Sequence, residues 1–130
     1  MYRRGARAHV LVVEDYEHTR EMYTEFLQFF GFDVSAAEDA RAGLAHAFAK
    51  KPSLVVLDLA LPDMPGWQAA TLLRLDPRTR DVPIIAMTAY PASHARDVAL
   101  SAGCDAFLEK PIGPNALAEL IQKMLRAERA

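Results

Sequence analysis

Reactive side chains stand where several buried apolar runs stop. "VVED" ends on the adjacent acids Glu14 and Asp15, "SLVVLD" on Asp58, "PIIAMT" on Thr88, and "FLEKP" on Lys110 followed by Pro111. Carboxylates brought within a few ångströms of one another repel strongly at neutral pH and need a proton or a cation between them. Oxygen donors with no cysteine or histidine among them suit Mg²⁺, which keeps several waters and bridges carboxylates to phosphate oxygens. Lys110 adds a fixed positive charge and Thr88 a hydroxyl that can donate to a phosphoryl oxygen. The set therefore holds what phosphoryl transfer onto a carboxylate requires. Asp58 is the expected acceptor, because it stands alone after apolar residues, whereas Glu14 and Asp15 form a pair suited to holding metal. After it, Pro62, Pro65 and Gly66 redirect the chain, so a rigid strand aims the carboxylate and a sharp turn leaves it accessible.

These residues meet only if the elements carrying them are parallel neighbours. Short aliphatic runs alternate with longer stretches of helical spacing from residue 9 onward, a βα repeat. Strands are predicted over 9–14, 32–37, 53–58, 82–88 and 104–109. The first helix, in "YEHTREMYTEFLQFFG", is expected to turn Met22, Phe26, Phe29 and Phe30 to one face and to stop at Gly31. "DARAGLAHAFAKK" opens on Asp39, a good N-cap, and "GWQAATLLRL" ends before Asp76-Pro77. "ASHARDVALSAG" ends at Gly103, and the last helix is amphipathic through Leu117, Leu120, Ile121 and Leu125. Strands apolar on both faces, joined by helices, imply an α/β class with a parallel sheet and right-handed crossovers. Five units favour an open, doubly wound sheet, which binds ligands at the carboxyl ends of its strands. In the order 2-1-3-4-5 the first and third strands adjoin, and their three acids share one pocket.

At 130 residues, 52% hydrophobic and 25% charged, the chain has the length and composition of one globular domain. Lys and Arg number 15 against 17 acids, a net charge of -2 that gives no electrostatic reason to expect direct nucleic acid binding. Arg3, Arg4 and Arg7 are assigned to a flexible N-terminal extension, 1–8, ahead of a domain over 9–127, with no output domain after it. A single cysteine, Cys104, allows no internal disulfide and fits a reducing compartment, with the cytoplasm as the default. No apolar run approaches the roughly 20 residues of a membrane span.

Taken together, "VVEDYE", "VVLDLALPDMPGW", "PIIAMTA" and "FLEKP" resemble the receiver domain of bacterial two-component and phosphorelay response regulators, of the stand-alone, single-domain type. The resemblance runs from His9 to about Leu125. It implies a flavodoxin-like (βα)5 fold and a signalling switch instead of an enzyme. It implies that Asp58 accepts a phosphoryl group from a histidine kinase or histidine phosphotransferase. Asp15 and Asp58 would bind Mg²⁺ directly, Glu14 through water, and Ala60 through its backbone carbonyl. Lys110 would pair with Asp58 and then with the phosphoryl group, Thr88 would move inward to bond it, and the Lys110-Pro111 bond would be cis. Phe107 matches the aromatic switch position, without the hydroxyl of the family's frequent tyrosine. Ala60 and Tyr90 match positions bordering the path of hydrolytic water. Neither offers a carboxylate or amide to orient it, so slow self-dephosphorylation is expected. The first helix would meet the phosphodonor, and the side from the fourth strand to the fifth helix would meet a target protein or a second copy; no membrane partner is implied. Two rivals stand beside this reading. One is a phosphoaspartyl hydrolase, which "DYEHT" faintly resembles; the other is a receiver-like interaction module that has lost phosphorylation.

Overall fold

The computed structural model describes residues 7–89 and 94–129. The aliphatic runs form β1 (His9–Val13), β2 (Asp33–Ala37), β3 (Leu54–Asp58), β4 (Ile84–Thr88) and β5 (Ala106–Glu109). Between and after them lie α1 (Glu17–Phe29), α2 (Ala40–Ala49), α3 (Gly66–Leu75), α4 (Ala95–Ser101) and α5 (Pro114–Arg129). All pairings are parallel, and the sheet order is β2-β1-β3-β4-β5, as expected for a doubly wound flavodoxin-like sheet.

The two-residue period of a strand divides the core in two. Leu11, Val13, Val55, Leu57, Ile84 and Ala86 face α2, α3 and α4, whose small residues Ala40, Ala47, Ala69, Ala70 and Ala99 allow close approach. Val10, Val12, Leu54, Val56, Ile85 and Met87 face α1 and α5, and meet Tyr23, Leu27, Leu117 and Ile121. Each fully buried large aliphatic contributes about 1.5–3 kcal/mol relative to exposure. Covering both faces leaves the carboxyl ends of the strands as the open rim where function can sit.

Helix α1 departs from its expected orientation. Tyr23 and Leu27 form its buried row, whereas Phe29 is 87% exposed and Met22 43%. Tyr23 fills the inner position because its ring packs in the core while its hydroxyl donates to the Ile112 carbonyl at 3.1 Å. Phe30, one turn beyond Leu27, packs half-buried against the same core.

Asp39 caps α2 as predicted, its side chain accepting from the Ala42 N–H at 2.8 Å. Gly31 and Gly103 end α1 and α4 with φ of 110° and 103°, the left-handed region in which glycine is at ease. At the start of the chain, Ala8 is buried and its carbonyl accepts from the Asp33 N–H at 3.0 Å. Ala8, assigned to the extension 1–8, is thus part of the packed domain, and residues 1–6 lie outside the described residues. No described helix is long and apolar enough to cross a membrane.

Candidate functional site

Register brings the acids together. Val13 lies opposite Leu57, so the residues that follow, Glu14 and Asp58, stand side by side at the rim. Glu14, Asp15 and Asp58 each offer a carboxylate oxygen, and these atoms all lie within 4.8 Å of one another. Glu14 is 0% exposed and Asp58 4%, while Asp15 faces solvent.

Each buried carboxylate is held by named donors. Asp58 Oδ1 accepts the Ala60 N–H at 2.8 Å, and Oδ2 accepts from Lys110 Nζ at 2.9 Å. The same ammonium donates to Glu14 Oε1, and the Tyr16 N–H donates to Glu14 Oε2 at 3.1 Å. Lys110 is fixed through its backbone, whose N–H donates to the Thr88 carbonyl at 2.8 Å, and its peptide bond to Pro111 is cis. Arg20 donates to the carbonyls of Glu14 and Asp15 at 3.0 and 3.3 Å and steadies the acidic pair from behind.

Three carboxylates against one ammonium leave uncompensated negative charge. Burial pushes the Glu14 carboxyl above its ordinary range, although the hydrogen bonds from Lys110 and the Tyr16 amide oppose the rise. Burial would lower the Lys110 ammonium, but its bonds to Glu14 and Asp58 outweigh this and raise it, so it is charged at neutral pH. Lys110 engages Glu14 and Asp58 alike, and with the outward Asp15 the three acids offer a cluster of carboxylate oxygens to a hard divalent cation. Their oxygen-only chemistry fits Mg²⁺.

The loop after Asp58 is shaped by close approach. A Cβ on Gly66 would lie 2.4 Å from the Asp58 carbonyl oxygen and 2.5 Å from the Leu59 Cα. Only a residue without one lets the Gly66 N–H reach the Leu59 carbonyl at 2.9 Å, with Ala60 and Pro65 bridging above. Ala60 is exposed within this loop.

Thr88 is buried at the end of β4, next to β3. Phe107 lies half-buried on β5 opposite Ala86, against the core of α2, α3 and α4. Tyr90 lies outside the described residues. Sequence reasoning passed over Arg20 and also Asp63, whose two oxygens accept the Ala40 and Arg41 N–H groups at 2.9 and 2.8 Å. An arginine one helical turn beyond an acidic pair was a usable signal for the first; no local pattern announces the second. Cys104 is buried far along the chain from the rim acids, and burial pushes its thiol up to about 11, which keeps it protonated and poorly nucleophilic.

A parallel α/β sheet with acids at the first and third strand ends, a hydroxyl at the fourth and a lysine at the fifth is the architecture of a phosphoryl receiver. The sequence matches the response regulator receiver domain over residues 10–122, and the chain belongs to that family. It is 34% identical over 118 residues to an uncharacterized 14.6 kDa protein from the sodA1 3' region of Leptolyngbya boryana, covering 91% of this chain and 90% of the relative. It is 33% identical over 121 residues to the transcriptional regulatory protein HprR of Escherichia coli, covering 93% of this chain. The chain spans about half the length of such regulators, 53% in that case. A crystal structure of a CheY-like receiver domain protein from Methanospirillum hungatei superimposes with a TM-score of 0.90 at 27% identity, covering 95% of this chain and 98% of that one. Members of this family are signalling switches that interact with histidine kinases or phosphotransferases and bind Mg²⁺ at an acidic pocket.

Proposed function

We propose that this chain is a phosphorylation-dependent switch whose Asp58 accepts a phosphoryl group from a histidine kinase or histidine phosphotransferase. A carboxylate oxygen of Asp58 attacks phosphorus, an O–P bond forms and the donor's N–P bond breaks. The electron pair stays on the imidazole nitrogen, which then takes a proton. Lys110 holds the attacking carboxylate in place and afterwards faces the new phosphoryl oxygens. Asp15, Asp58 and the Ala60 carbonyl would hold Mg²⁺, with Glu14 acting through water; the ion supplies charge neutralisation on the phosphoryl oxygens. Thr88 donates to a phosphoryl oxygen, and the vacated space lets Phe107 repack, which passes the signal to a protein bound along the side from β4 to α5, or to a second copy there.

The observation that carries this reading is the Asp58 carboxylate: almost wholly buried, gripped by Ala60 and Lys110, and within 4.8 Å of two further acids. Incubation with acetyl phosphate and Mg²⁺, followed by intact mass, tests it. One phosphoryl adduct on the wild type and none on Asp58→Asn is expected, and its omission without Mg²⁺. No adduct despite confirmed Mg²⁺ binding would favour a receiver-like interaction module. With alanine at position 60 and tyrosine at 90, neither able to orient water through a carboxylate or amide, the adduct decays slowly. A half-life of seconds would contradict that.

A further inference from the structure

The loop that holds Asp58 is anchored to a helix distant from it in sequence. Asp63, at the tip of the loop, places Oδ1 on the Ala40 N–H at 2.9 Å and Oδ2 on the Arg41 N–H at 2.8 Å, the first two amides of α2. Such amides have no partner inside the helix and carry its positive dipole end, so a carboxylate there makes two charge-assisted bonds. What slight desolvation Asp63 suffers is outweighed by these bonds, and its carboxyl titrates below the ordinary range. Asp39, the cap supplied by the chain just ahead of the helix, takes the Ala42 amide, so the two carboxylates divide the first turn without duplication. At its other end the loop is closed by the Gly66 N–H on the Leu59 carbonyl and donates the Ala60 N–H to the Asp58 carboxylate.

We propose that Asp63 is a positioning residue for the carboxylate pocket: it fixes the loop that carries Ala60, and it ties the pocket to the first turn of α2. Asp39, adjacent in sequence, takes only the Ala42 amide, and the Ala40 and Arg41 amides are satisfied from across the fold. The bonds from Asp63 join segments 22 and 23 residues apart, one of which holds the phosphoacceptor. Ligand bound at Asp58 and Ala60 therefore tightens the Ala40 and Arg41 amides, and by reciprocity the integrity of that turn sets the affinity of the pocket. The ligand half of this inference rests on the functional reading above; the tether itself does not.

The test compares wild type with Asp63→Ala, Asp63→Asn and Asp39→Ala. Asp39→Ala weakens the same helix turn without touching the loop, and so reports a merely structural effect. Amide exchange by NMR, in protein free of metal, is expected to quicken about tenfold at Ala60 and Gly66 in Asp63→Ala, and to stay unchanged there in Asp39→Ala. Mg²⁺ affinity, read by titration without phosphoryl donor, is expected to fall about tenfold in Asp63→Ala, as when a supporting partner of a ligand is lost. Asp63→Asn, which keeps one acceptor oxygen, falls between. Added Mg²⁺ is expected to slow exchange at Ala40 and Arg41 in wild type but not in Asp63→Ala. Equal exchange at Ala60 in Asp63→Ala and Asp39→Ala would overturn the tether. Failure of the wild type to bind Mg²⁺ would overturn the functional reading, while the metal-free exchange would still decide the tether.

Discussion

Lys110 lies 52 residues beyond Asp58 in the chain, yet its ammonium sits 2.9 Å from the Asp58 carboxylate and also reaches Glu14. One cation thus joins the ends of three strands: β1, which leads into Glu14, β3, which ends on Asp58, and β5, which leads into Lys110 itself. Between β5 and β3 runs β4, and the Lys110 N–H is bonded to the Thr88 carbonyl at its end. The lysine is therefore a structural bolt, and the chemical role proposed for it uses the same atoms.

Removing that bolt leaves two buried carboxylates with their mutual repulsion. Lys110→Met is expected to cost roughly 3 kcal/mol at neutral pH in metal-free protein, the scale for stripping one partner from a buried ion pair. Added Mg²⁺ should stabilise the variant more than it does wild type, because the divalent cation replaces the lost charge. Urea unfolding with and without Mg²⁺ measures both. An unchanged midpoint in metal-free buffer would contradict the role given to Lys110.

Gly66→Ala attacks the same site from below. Its Cβ would meet backbone atoms, the Asp58 carbonyl oxygen and the Leu59 Cα, which cannot swing aside as a side chain can. A loss of about 1–3 kcal/mol is expected from the overpacking. In the functional reading the rate of Asp58 modification by acetyl phosphate should fall as well, since the displaced backbone belongs to Asp58. A variant with wild-type stability and rate would show that the loop is looser than its contacts imply.

Strand chemistry was easy to read and helix orientation was not, for a physical reason. β3 and β4 are buried on both faces, so "LVVLD" and "IIAMT" had to be apolar throughout, and the polar residue ending each run stood out. The βα alternation implied a parallel sheet; the order 2-1-3-4-5 came from the general pattern of open doubly wound sheets, and the pocket of Glu14, Asp15 and Asp58 followed from that order. A half-buried helix gives a weaker signal. On α1 the apolar Phe29 and Met22 lie outward while Tyr23 lies inward beside Leu27, because a hydroxyl that finds the Ile112 carbonyl makes tyrosine a good core residue. Contacts such as Asp63 to α2 leave no trace in local pattern, since both partners are ordinary residues in ordinary turns.

At the opposite end of the sheet, His9 at the start of β1 stacks on His46 of α2, with ring centroids 5.7 Å apart and planes 13° from parallel. The Nε2 atom of each is buried without a hydrogen-bond partner, and an imidazolium would need an acceptor there. Burial, then Lys50 and His46, lower the His9 value below 6.5, and Asp33 opposes them. The unfolded chain therefore takes up this proton first. The His9 contribution is complete above 6.5 and is lost as pH falls below it, toward the lower folded value. The stability of wild type minus that of His9→Leu should be flat above about pH 7 and decline below about pH 6.5. Denaturant midpoints across that range test it, and a difference that stayed flat or grew on acidification would refute the assignment.

The orientation of α1 gives the sharpest contrast between neighbouring residues. Leu27 is fully buried against Val10, Val12 and the inner face of α5, so Leu27→Ala removes packed methyl groups and should cost about 2–5 kcal/mol. Phe29, two residues on, is 87% exposed, and Phe29→Ser should stay within about 0.5 kcal/mol of wild type. Phe29 ends α1, while the acids Glu14 and Asp15 precede its first turn, so modification by acetyl phosphate should be unaffected. Met22, Phe26 and Phe29 line an outward groove rimmed by Glu21 and Glu25, an apolar surface that stability does not require. In the functional reading this is the face offered to the phosphodonor. Thermal unfolding of both variants decides the orientation: a large loss from Phe29→Ser would mean that α1 is turned the other way, with its aromatic row inside.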